Sequence, residues 1–408
     1  MKDKIFSYID GAAALAVELE TELSKIPALS PDSGGQGELD KCEFLESWLK
    51  AHKISDLQRF DAPDARAKGG VRPNLVATIA GTNPALPVLW IMSHIDVVPP
   101  GELSLWDSDP WTVVQKDGKL IGRGVEDNQQ GLVSSVIALL ALIENGLKPD
   151  RTVKLLFAAD EENGSNYGIE WILKNKKDVF KKGDLVLIPD SGDSLGETLE
   201  IAEKNQLWMK FRTTGKQSHA SRPDLGNNAF VAGSALAVLL FERLHKKFRA
   251  IDKLFEPPYS TFAPTKKEAN IPNINSIPGD DVFYLDARIV PCYPVQIVID
   301  EIQKIKTVIE KKYKVQIDAS VVQLMESKAT SKNSPLAIMM NKAVQEVYKI
   351  PTKVIGIGGG TVAAYLRNED IDSIAWSRMD ETAHQPNEYV YIENILGNAK
   401  VMALLFSS

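Results

Sequence analysis

Histidine and carboxylate side chains follow the ends of four apolar runs in this sequence. These side chains are His94, Asp96, Glu161, Glu162, Asp190 and His384. If the runs form neighbouring strands of an open α/β sheet, their carboxyl ends share one edge, where ligands bind in such sheets. Asp127, in the segment GRGVEDNQQG, lies between a hairpin pattern and a helical pattern, at a position able to face the same edge. We therefore expect these groups to meet in space.

Two histidines and three carboxylates in this set have the donor atoms to hold two divalent cations if one carboxylate bridges them. Each cation would then have three protein ligands and one position for water. Nitrogen and oxygen donors suit zinc and tolerate cobalt or manganese. Cys42 and Cys292 lack the spacing of a thiolate site, so any metal in this chain is expected to depend on histidine and carboxylate ligands.

Each residue also has a purely structural interpretation when it is considered alone. Asp96 or Asp190 could cap a helix, because aspartate is favoured at that position after a strand. Glu161 and Glu162 could favour the start of a helix through its dipole, and His94 could be a hydrogen-bonded core residue. The whole combination is much harder to explain in this way than any single member.

The elements that must position these groups follow an α/β pattern. Apolar, β-branched runs alternate with helical segments from Asn74 to about Asp190 and again from Pro335 onward, which predicts βαβ units and a mostly parallel sheet. A turn at Asp117 and Gly118 predicts a hairpin. The middle of the chain instead follows a two-layer, split βαβ pattern of the α+β class. We predict a discontinuous domain of residues 1–204 and 324–408, interrupted by an inserted domain of residues 205–323.

Composition excludes several classes of function. The chain has 408 residues and a formal net charge of −7, without a polybasic block, which argues against nucleic acid or an anionic membrane surface as a partner. Two cysteines cannot form a disulfide framework, so a reducing compartment is expected. The N-terminal segment has the pattern of an amphipathic helix, and no apolar run approaches the roughly 20 residues of a membrane span. We therefore predict a cytoplasmic protein.

Seven short strings in the sequence occur in an order that is specific as a set. They are SHIDVVP at 93–99, GRGVED at 122–127, ADEENG at 159–164, PDSGD at 189–193, GKQSHAS at 215–221, NSIP at 275–278 and HQPNE at 384–388. Over nearly the whole chain this set resembles the M20 family of dinuclear metallopeptidases and amidohydrolases. That family includes succinyl-diaminopimelate desuccinylase, acetylornithine deacetylase, aminoacylase and dipeptidases. The resemblance implies a zinc-peptidase-like catalytic domain and a ferredoxin-like lid and dimerisation domain.

The resemblance also implies a ligand set for two zinc ions in each chain. Asp127 would bridge the two ions. His94 and Asp190 would complete the first site, and Glu162 and His384 the second. The peptide bond after the bridging aspartate is often cis in this family. In this chain that bond joins Asp127 to Asn128.

Three further residues match catalytic positions of the family. Glu161 matches the general base, which takes a proton from water and passes it to the departing amine. Asp96 matches the residue that fixes the tautomer of the first histidine ligand. His219 matches a histidine that stabilises the tetrahedral oxygen, supplied in related dimers across the subunit interface. The role of His219 implies a homodimer and a closing motion. The alternative is that His219 is a surface histidine on a turn.

Substrate-binding positions are implied for Arg288, Asn275 and the glycine segment GIGGGT. A guanidinium can hold a substrate carboxylate through two parallel hydrogen bonds, but an arginine on a strand is often only ion-paired. Backbone N–H groups of Gly359, Gly360 and Thr361 could bind an anion, although a glycine cluster is often only a tight turn. A small peptide or an N-acyl amino acid is the expected substrate.

Two departures from the family pattern bear on the substrate. The family commonly has a lysine soon after the bridging aspartate, whereas this chain has Asn128, Gln129 and Gln130. The last acidic ligand is Asp190, which is more typical of aminopeptidases and dipeptidases, while glutamate is more typical of deacylases. This favours a dipeptide, with deacylation of succinyl-diaminopimelate or acetylornithine as the alternative.

Two other classes of function are weighed against a hydrolase. The GIGGGT segment could bind a nucleotide, with the acidic groups serving magnesium. A dinucleotide fingerprint is expected in a first βαβ unit, whereas these glycines come late in the chain. A non-catalytic metal or peptide binder would need no general base, so the presence of Glu161 beside a full ligand set speaks against it.

Overall fold

The chain divides into two compact units. The computed structural model describes residues 2–407. The first unit comprises Met1–Ile201, Thr330–Val354 and Tyr365–Ser408, and the second comprises Ala202–Ala329 and Ile355–Ala364. The segment Ile355–Ala364, which contains the glycine cluster, was assigned from the sequence to the discontinuous domain of residues 1–204 and 324–408. The structure instead groups it with the second unit.

Ten helices and seventeen strands form these units within residues 2–407. The helices are α1 Lys2–Asp10, α2 Ala13–Ser24, α3 Leu39–Ala51, α4 Gln130–Glu144, α5 Ile169–Asn175, α6 Ala229–Lys247, α7 Val295–Tyr313, α8 Pro335–Tyr348, α9 Ala363–Asn368 and α10 Ile392–Phe406. The strands are β1 Leu57–Pro63, β2 Val71–Ile79, β3 Leu89–His94, β4 Val114–Lys116, β5 Lys119–Ile121, β6 Val153–Ala158, β7 Leu185–Asp193, β8 Thr198–Glu203, β9 Asn205–Thr214, β10 Ser218–His219, β11 Thr261–Lys267, β12 Ser276–Ile277, β13 Asp280–Ile289, β14 Gln316–Met325, β15 Lys353–Ile357, β16 Asp372–Arg378 and β17 Tyr389–Tyr391.

An eight-stranded sheet forms the centre of the first unit, in the order β1-β2-β6-β3-β7-β16-β8-β15. The strands β6, β3, β7 and β16 run parallel to one another. β2 pairs with β6, and β1 pairs with β2, in antiparallel fashion; β8 is antiparallel to β16. The predicted α/β class is therefore confirmed, with antiparallel strands outside a parallel centre.

The parallel centre follows from apolar runs that are buried on both faces. All six residues of β3 are buried, as are five of the six in β6. Helix α4 is also buried along almost its whole length, and it packs against α1, α2 and α10. Continuous apolar strands of this kind are typical of parallel sheets covered on both faces.

The carboxyl ends of the parallel strands carry the predicted polar residues. β3 ends at His94, and Asp190 lies in the last part of β7. Glu161 follows the end of β6 by a short turn, and His384 follows the end of β16. The sheet topology thus brings these side chains to one edge, as the sequence predicted.

The predicted hairpin is confirmed. β4 and β5 pair in antiparallel fashion around Asp117 and Gly118, whose φ angles are 52° and 77°. Two consecutive positive φ angles are the mark of a type I′ turn, which matches the twist of the flanking strands. β17 adds to the hairpin by pairing with β5, so the segment just after His384 is joined to the segment just before Asp127.

The second unit contains a four-stranded antiparallel sheet in the order β11-β13-β9-β14. Helices α6 and α7 pack against each other, and α6 also contacts β9, β11 and β13. Stacked rings of Phe211 and Phe283, with centroids 4.9 Å apart, lie in the core between the layers. Strand β11 was missed from the sequence because it contains Pro264, and an edge strand tolerates a proline there.

The N-terminal segment forms two helices, α1 and α2, where one amphipathic helix was predicted. Gly11 and Ala12 separate them. None of the helices within residues 2–407 combines the length and the apolar composition that crossing a membrane requires.

Candidate metal centre

His94 stands at the end of β3 and contacts carboxylates through both ring nitrogens. Its Nδ1 lies 3.0 Å from the carbonyl oxygen of Asp96 and 3.3 Å from the Oδ1 of that residue. Its Nε2 lies 2.8 Å from Asp127 Oδ1 and 3.6 Å from Asp190 Oδ1. Since Asp96 accepts the Nδ1 proton, the Nε2 lone pair is available for a metal ion in the neutral ring.

Asp127 connects the two predicted histidine ligands. Its Oδ1 contacts His94, and its Oδ2 lies 3.0 Å from Nε2 of His384. The peptide bond from Asp127 to Asn128 is cis. The Asn128 carboxamide donates to the Pro189 carbonyl oxygen at 2.7 Å and also to the Asp190 carboxylate. Asn128 is the first of three neutral residues found where the family commonly has a lysine. Its side chain therefore holds Asp190, the predicted ligand in β7.

Glu162 and His384 form the other half of the cluster. Nε2 of His384 lies 3.1 Å and 3.2 Å from the two carboxylate oxygens of Glu162. The His384 side chain is about half exposed, whereas that of Glu162 is nearly buried. Asp127 and Glu162 thus approach the same ring nitrogen from two different loops.

Asp96 fixes the turn that carries the adjacent glutamates. Its two carboxylate oxygens accept the backbone N–H groups of Glu161 and Glu162, each at 3.1 Å. As a result, the Glu161 carboxylate lies within 4.8 Å of ligand atoms of His94 and Asp190. Glu162 forms a similar group with His94 and Asp127.

The proton affinities of these groups reflect burial and their neighbours. Burial raises the pKa of Glu161 well above its usual value, and the Asp190 charge adds to this effect. Burial also raises the pKa of Glu162 and of Asp190. The pKa of Asp127 is lowered because hydrogen bonds from the two histidines outweigh its burial. Hydrogen bonds to Asp127 and Glu162 raise the pKa of His384 to about 10.

The donor set fits two divalent cations. Within residues 2–407, the ion pairs of Asp127, Glu162 and Asp190 are all made with histidines. Glu161 and Asp96 add further negative charge close by, so the carboxylates outnumber the possible positive partners. Two overlapping groups of three donor atoms, His94 with Glu161 and Asp190 and His94 with Asp127 and Glu162, are each compact enough to hold a metal ion. Cations bound here would offset the repulsion among buried carboxylates.

The second unit brings together two of the other predicted residues. β10 pairs with β12, placing His219 opposite Ser276. The Ala220 N–H donates to the Asn275 carbonyl oxygen at 2.9 Å, so His219 and Asn275 lie on adjoining strands. The Ser221 N–H donates to Nδ1 of His219 at 3.1 Å. The neutral imidazole therefore carries its proton on Nε2, which leaves that nitrogen as a hydrogen-bond donor.

Arg288 is engaged by a carboxylate of its own strand. Its Nε and Nη2 donate to the two oxygens of Asp286 at 2.8 Å and 2.9 Å, and Trp208 Nε1 donates to Asp286 at 2.7 Å. Its Nη1 donates to the Gly358 carbonyl oxygen at 3.0 Å. The guanidinium edge formed by Nε and Nη2, which was expected to hold a substrate carboxylate, is thus occupied by Asp286. Arg288 also anchors the glycine segment through its hydrogen bond to Gly358.

The glycine segment connects β15 to the short helix α9. Gly359 and Gly360 lie in the connection, and the Thr361 hydroxyl donates to Glu203 Oε1 at 2.6 Å. Helix α9 has only six residues. The long helix that follows a dinucleotide fingerprint is therefore not formed at this segment.

Several buried charged residues around the centre were not assigned roles from the sequence, among them Arg72, Glu126 and Glu388. Nη2 of Arg72 lies 3.1 Å from Asp160 Oδ1, and this pair holds the residue that precedes Glu161. Glu126 and Glu388 occur inside two of the quoted strings, GRGVED and HQPNE. Their presence there was the available signal, but nothing in the spacing showed what they contact.

Comparison with known proteins places the whole chain among metallohydrolases. The model of peptidase family M20/M25/M40 matches residues 90–408. An uncharacterized metallohydrolase of Methanocaldococcus jannaschii is 38% identical over 403 residues, which cover 95% of this chain and 97% of the relative. Succinyl-diaminopimelate desuccinylase of Coxiella burnetii is 24% identical over 320 residues, covering 76% of this chain and 80% of the enzyme.

Solved structures share the fold along almost the full length. An aminopeptidase of Bacillus cereus superposes with a TM-score of 0.77 at 17% identity, covering 97% of this chain and 98% of the aminopeptidase. A dinuclear metal-binding peptidase of Bacillus subtilis superposes with a TM-score of 0.67 at 15% identity, covering 97% of this chain and 98% of the peptidase. At these identities the likeness establishes the architecture alone.

Proposed function

This chain belongs to the M20/M25/M40 peptidase family of metallohydrolases, and on that premise we propose that it hydrolyses an amide or peptide bond in a small, carboxylate-bearing substrate. The substrate that we favour is a dipeptide or another short peptide with a free amino terminus. The observation that carries the proposal is the Asp127 carboxylate, each oxygen of which contacts a different histidine. Glu161, which we assign as a carboxylate that is not a ligand, lies within 4.8 Å of ligand atoms of His94 and Asp190.

We assign two zinc ions to this centre, with cobalt or manganese as possible replacements. His94, Asp127 and Asp190 would hold one ion, and Asp127, Glu162 and His384 the other. Such ions polarise the scissile carbonyl and lower the pKa of a water molecule to about 7. Imidazole and carboxylate donors are among the ligands that catalytic zinc sites use.

Glu161 is the proposed general base. It takes a proton from the attacking water and delivers it to the departing amine. In the metal-free protein, burial and the nearby Asp190 charge raise the pKa of Glu161. Asp96 keeps this glutamate in place through its backbone N–H and fixes the His94 tautomer.

We assign the substrate contacts to the residues that match substrate-binding and oxyanion-stabilising positions of the family. His219 would donate from Nε2 to the oxygen that gains negative charge in the tetrahedral state. Asn275, Arg288 and the backbone N–H groups of Gly359, Gly360 and Thr361 would bind the substrate's polar ends. Because Asp286 already occupies the paired edge of Arg288, we assign this arginine to single hydrogen bonds and to anchoring the glycine segment.

A homodimer formed through the second unit is part of the proposal. Apolar side chains are exposed on α6, including Val238 and Phe241, and on β14, including Val321, Val322 and Leu324. β14 is also an edge strand of its sheet, and an exposed apolar edge invites pairing with a second strand. Light scattering of the purified protein should therefore give twice the mass of the chain. A monomer at micromolar concentration would contradict this part of the proposal.

Metal removal tests the function directly. We expect dialysis against a chelator to abolish hydrolysis and added zinc or cobalt to restore it. The substrate panel should contain dipeptides, the same dipeptides with acetylated amino termini, acetylornithine and succinyl-diaminopimelate. Turnover of free but not acetylated dipeptides would identify a dipeptidase or aminopeptidase. If no amide in the panel shows metal-dependent turnover, the proposed function is wrong.

Deacylation of an N-acyl amino acid is the second candidate. It is favoured by the similarity to succinyl-diaminopimelate desuccinylase over most of the chain. Asp190, where deacylases more typically have glutamate, favours the peptidase instead. In the panel, turnover of acetylornithine or succinyl-diaminopimelate above that of every dipeptide would decide for the deacylase.

A further inference from the structure

We propose that Glu126 and Glu388 form a reciprocal clamp of positioning residues, which holds the two loops that carry Asp127 and His384 in the geometry that metal binding requires. This inference rests on the proposed two-cation centre. Each glutamate belongs to one loop and binds backbone N–H groups of the other loop. Both side chains are buried, with exposed fractions of 2% for Glu126 and 0% for Glu388.

Glu388 holds the loop that ends at Asp127. Its Oε1 accepts the backbone N–H groups of Glu126 at 2.9 Å and Asp127 at 3.0 Å. Its Oε2 accepts the N–H of Gly124 at 3.0 Å and the guanidinium of Arg123 at 2.6 Å. One carboxylate therefore fixes three backbone groups, including that of the residue proposed to bridge the two cations.

Glu126 holds the loop that leads to His384. Its Oε1 accepts the Asp380 N–H at 2.7 Å. Its Oε2 accepts the Ala383 N–H at 3.1 Å and the Thr382 hydroxyl at 2.8 Å, and it also contacts the Thr382 N–H. The residues bound by Glu126 thus reach the immediate neighbour of His384.

The clamp has a specific task at each end. His384 has a φ angle of 62°, a left-handed conformation that is uncommon for residues other than glycine. The bonds from Asp380, Thr382 and Ala383 to Glu126 hold the backbone that leads into it. At the other end, the Asp127 N–H binds Glu388 while its carboxylate reaches both histidines, so a rotation of this backbone would displace the bridging ligand. Hydrogen bonds to a buried carboxylate are strong enough to resist such movement.

Isosteric variants separate this role from general stability. In Glu126→Gln and in Glu388→Gln, one acceptor oxygen becomes an NH₂ group that faces N–H donors, so hydrogen bonds are lost without loss of volume. Outer partners that orient metal ligands change metal affinity by about 10–100-fold, and we expect zinc affinity to fall within that range in both variants. KM should change little, and excess zinc should restore much of kcat.

Glu381→Gln is the matched control. It removes the same charge from the same loop, but its side chain is exposed and the hydrogen bond recorded there uses its backbone oxygen. Its zinc affinity should equal that of the wild type. Glu126→Asp provides a milder change, since it keeps the charge and shortens the side chain, and it should lose less affinity than Glu126→Gln.

The experiment measures zinc affinity by competition with a chromophoric chelator, together with thermal unfolding of the metal-free proteins. Weaker zinc binding in the two glutamine variants, but not in the control, supports the clamp. Lower thermal stability with unchanged zinc affinity overturns it, as does an equal loss in Glu381→Gln. If Glu126→Gln does not fold, Glu126→Asp tests the same residue, with a smaller loss of zinc affinity expected. A wild type that binds zinc but hydrolyses no amide refutes the function and leaves the clamp standing, whereas a wild type that binds no zinc refutes both.

Discussion

Glu161→Gln is expected to keep two metal ions per chain while lowering kcat by about 10²–10⁴-fold, the usual contribution of a positioned general base. The amide has the shape of the carboxylate but cannot accept a proton from water. Its backbone N–H still binds Asp96, so the turn should keep its conformation. Metal content by mass spectrometry of the desalted protein, measured beside steady-state kinetics on the best substrate of the panel, checks both parts.

A substitution of the adjacent residue, Glu162, provides the comparison for this test. Glu162→Gln is expected to lose one of the two ions, because Glu162 contacts His384 as a proposed ligand. Glu161 would then transfer protons, whereas Glu162 would bind a metal ion. Since Glu161 also lies close to His94 and Asp190, loss of a metal from Glu161→Gln would reassign it as a ligand. Unchanged turnover would refute its role as base.

The sequence was sufficient to predict that these side chains converge, because the relevant constraint is topological. Parallel strands in one sheet end at a common edge, so residues that follow such strands meet regardless of their distance along the chain. His94 and Asp190 lie 96 positions apart in number, yet β3 and β7 are paired neighbours. The apolar runs identified the strands, and the polar residues that follow them identified the edge.

The supporting contacts were beyond the sequence because their partners are backbone groups. Glu126 and Glu388 bind N–H groups whose directions depend on the turns in which they lie, and no side-chain pattern encodes those turns. Arg288 shows a related limit, since the family resemblance implied a carboxylate-binding arginine but not its engagement with the Asp286 side chain. Prediction from sequence therefore identified the side chains that converge at the sheet edge, but not the contacts that hold them there.

Asp127→Asn is the second variant with a large expected effect. Replacing the shared carboxylate removes a charged ligand from both proposed metal positions, so metal content should fall from two ions to one or fewer. Loss of the metals forfeits several kcal/mol of transition-state stabilisation, which corresponds to at least about a thousandfold in kcat/KM. Asp117→Asn is the control, because it makes the same change at an exposed type I′ turn that tolerates asparagine. A variant that retains two ions would show that Asp127 is not shared.

The metal-free form of this variant tests the same contact in a second way. The pKa of His384 is raised to about 10 by Asp127 and Glu162, against about 6.5 for histidine in an unfolded chain. The pairing therefore stabilises the folded state fully below about pH 6.5, and this stabilisation is lost as pH rises towards about 10. Asp127→Asn removes one of the two carboxylates, so the free energy of unfolding should decline less across this window, by an amount kept small because His384 is half exposed. Denaturant unfolding of both metal-free proteins at several pH values measures the difference. If the free energy of unfolding declines equally in both proteins, Asp127 does not stabilise the charged imidazole. That result would contradict the contact on which the bridging assignment depends.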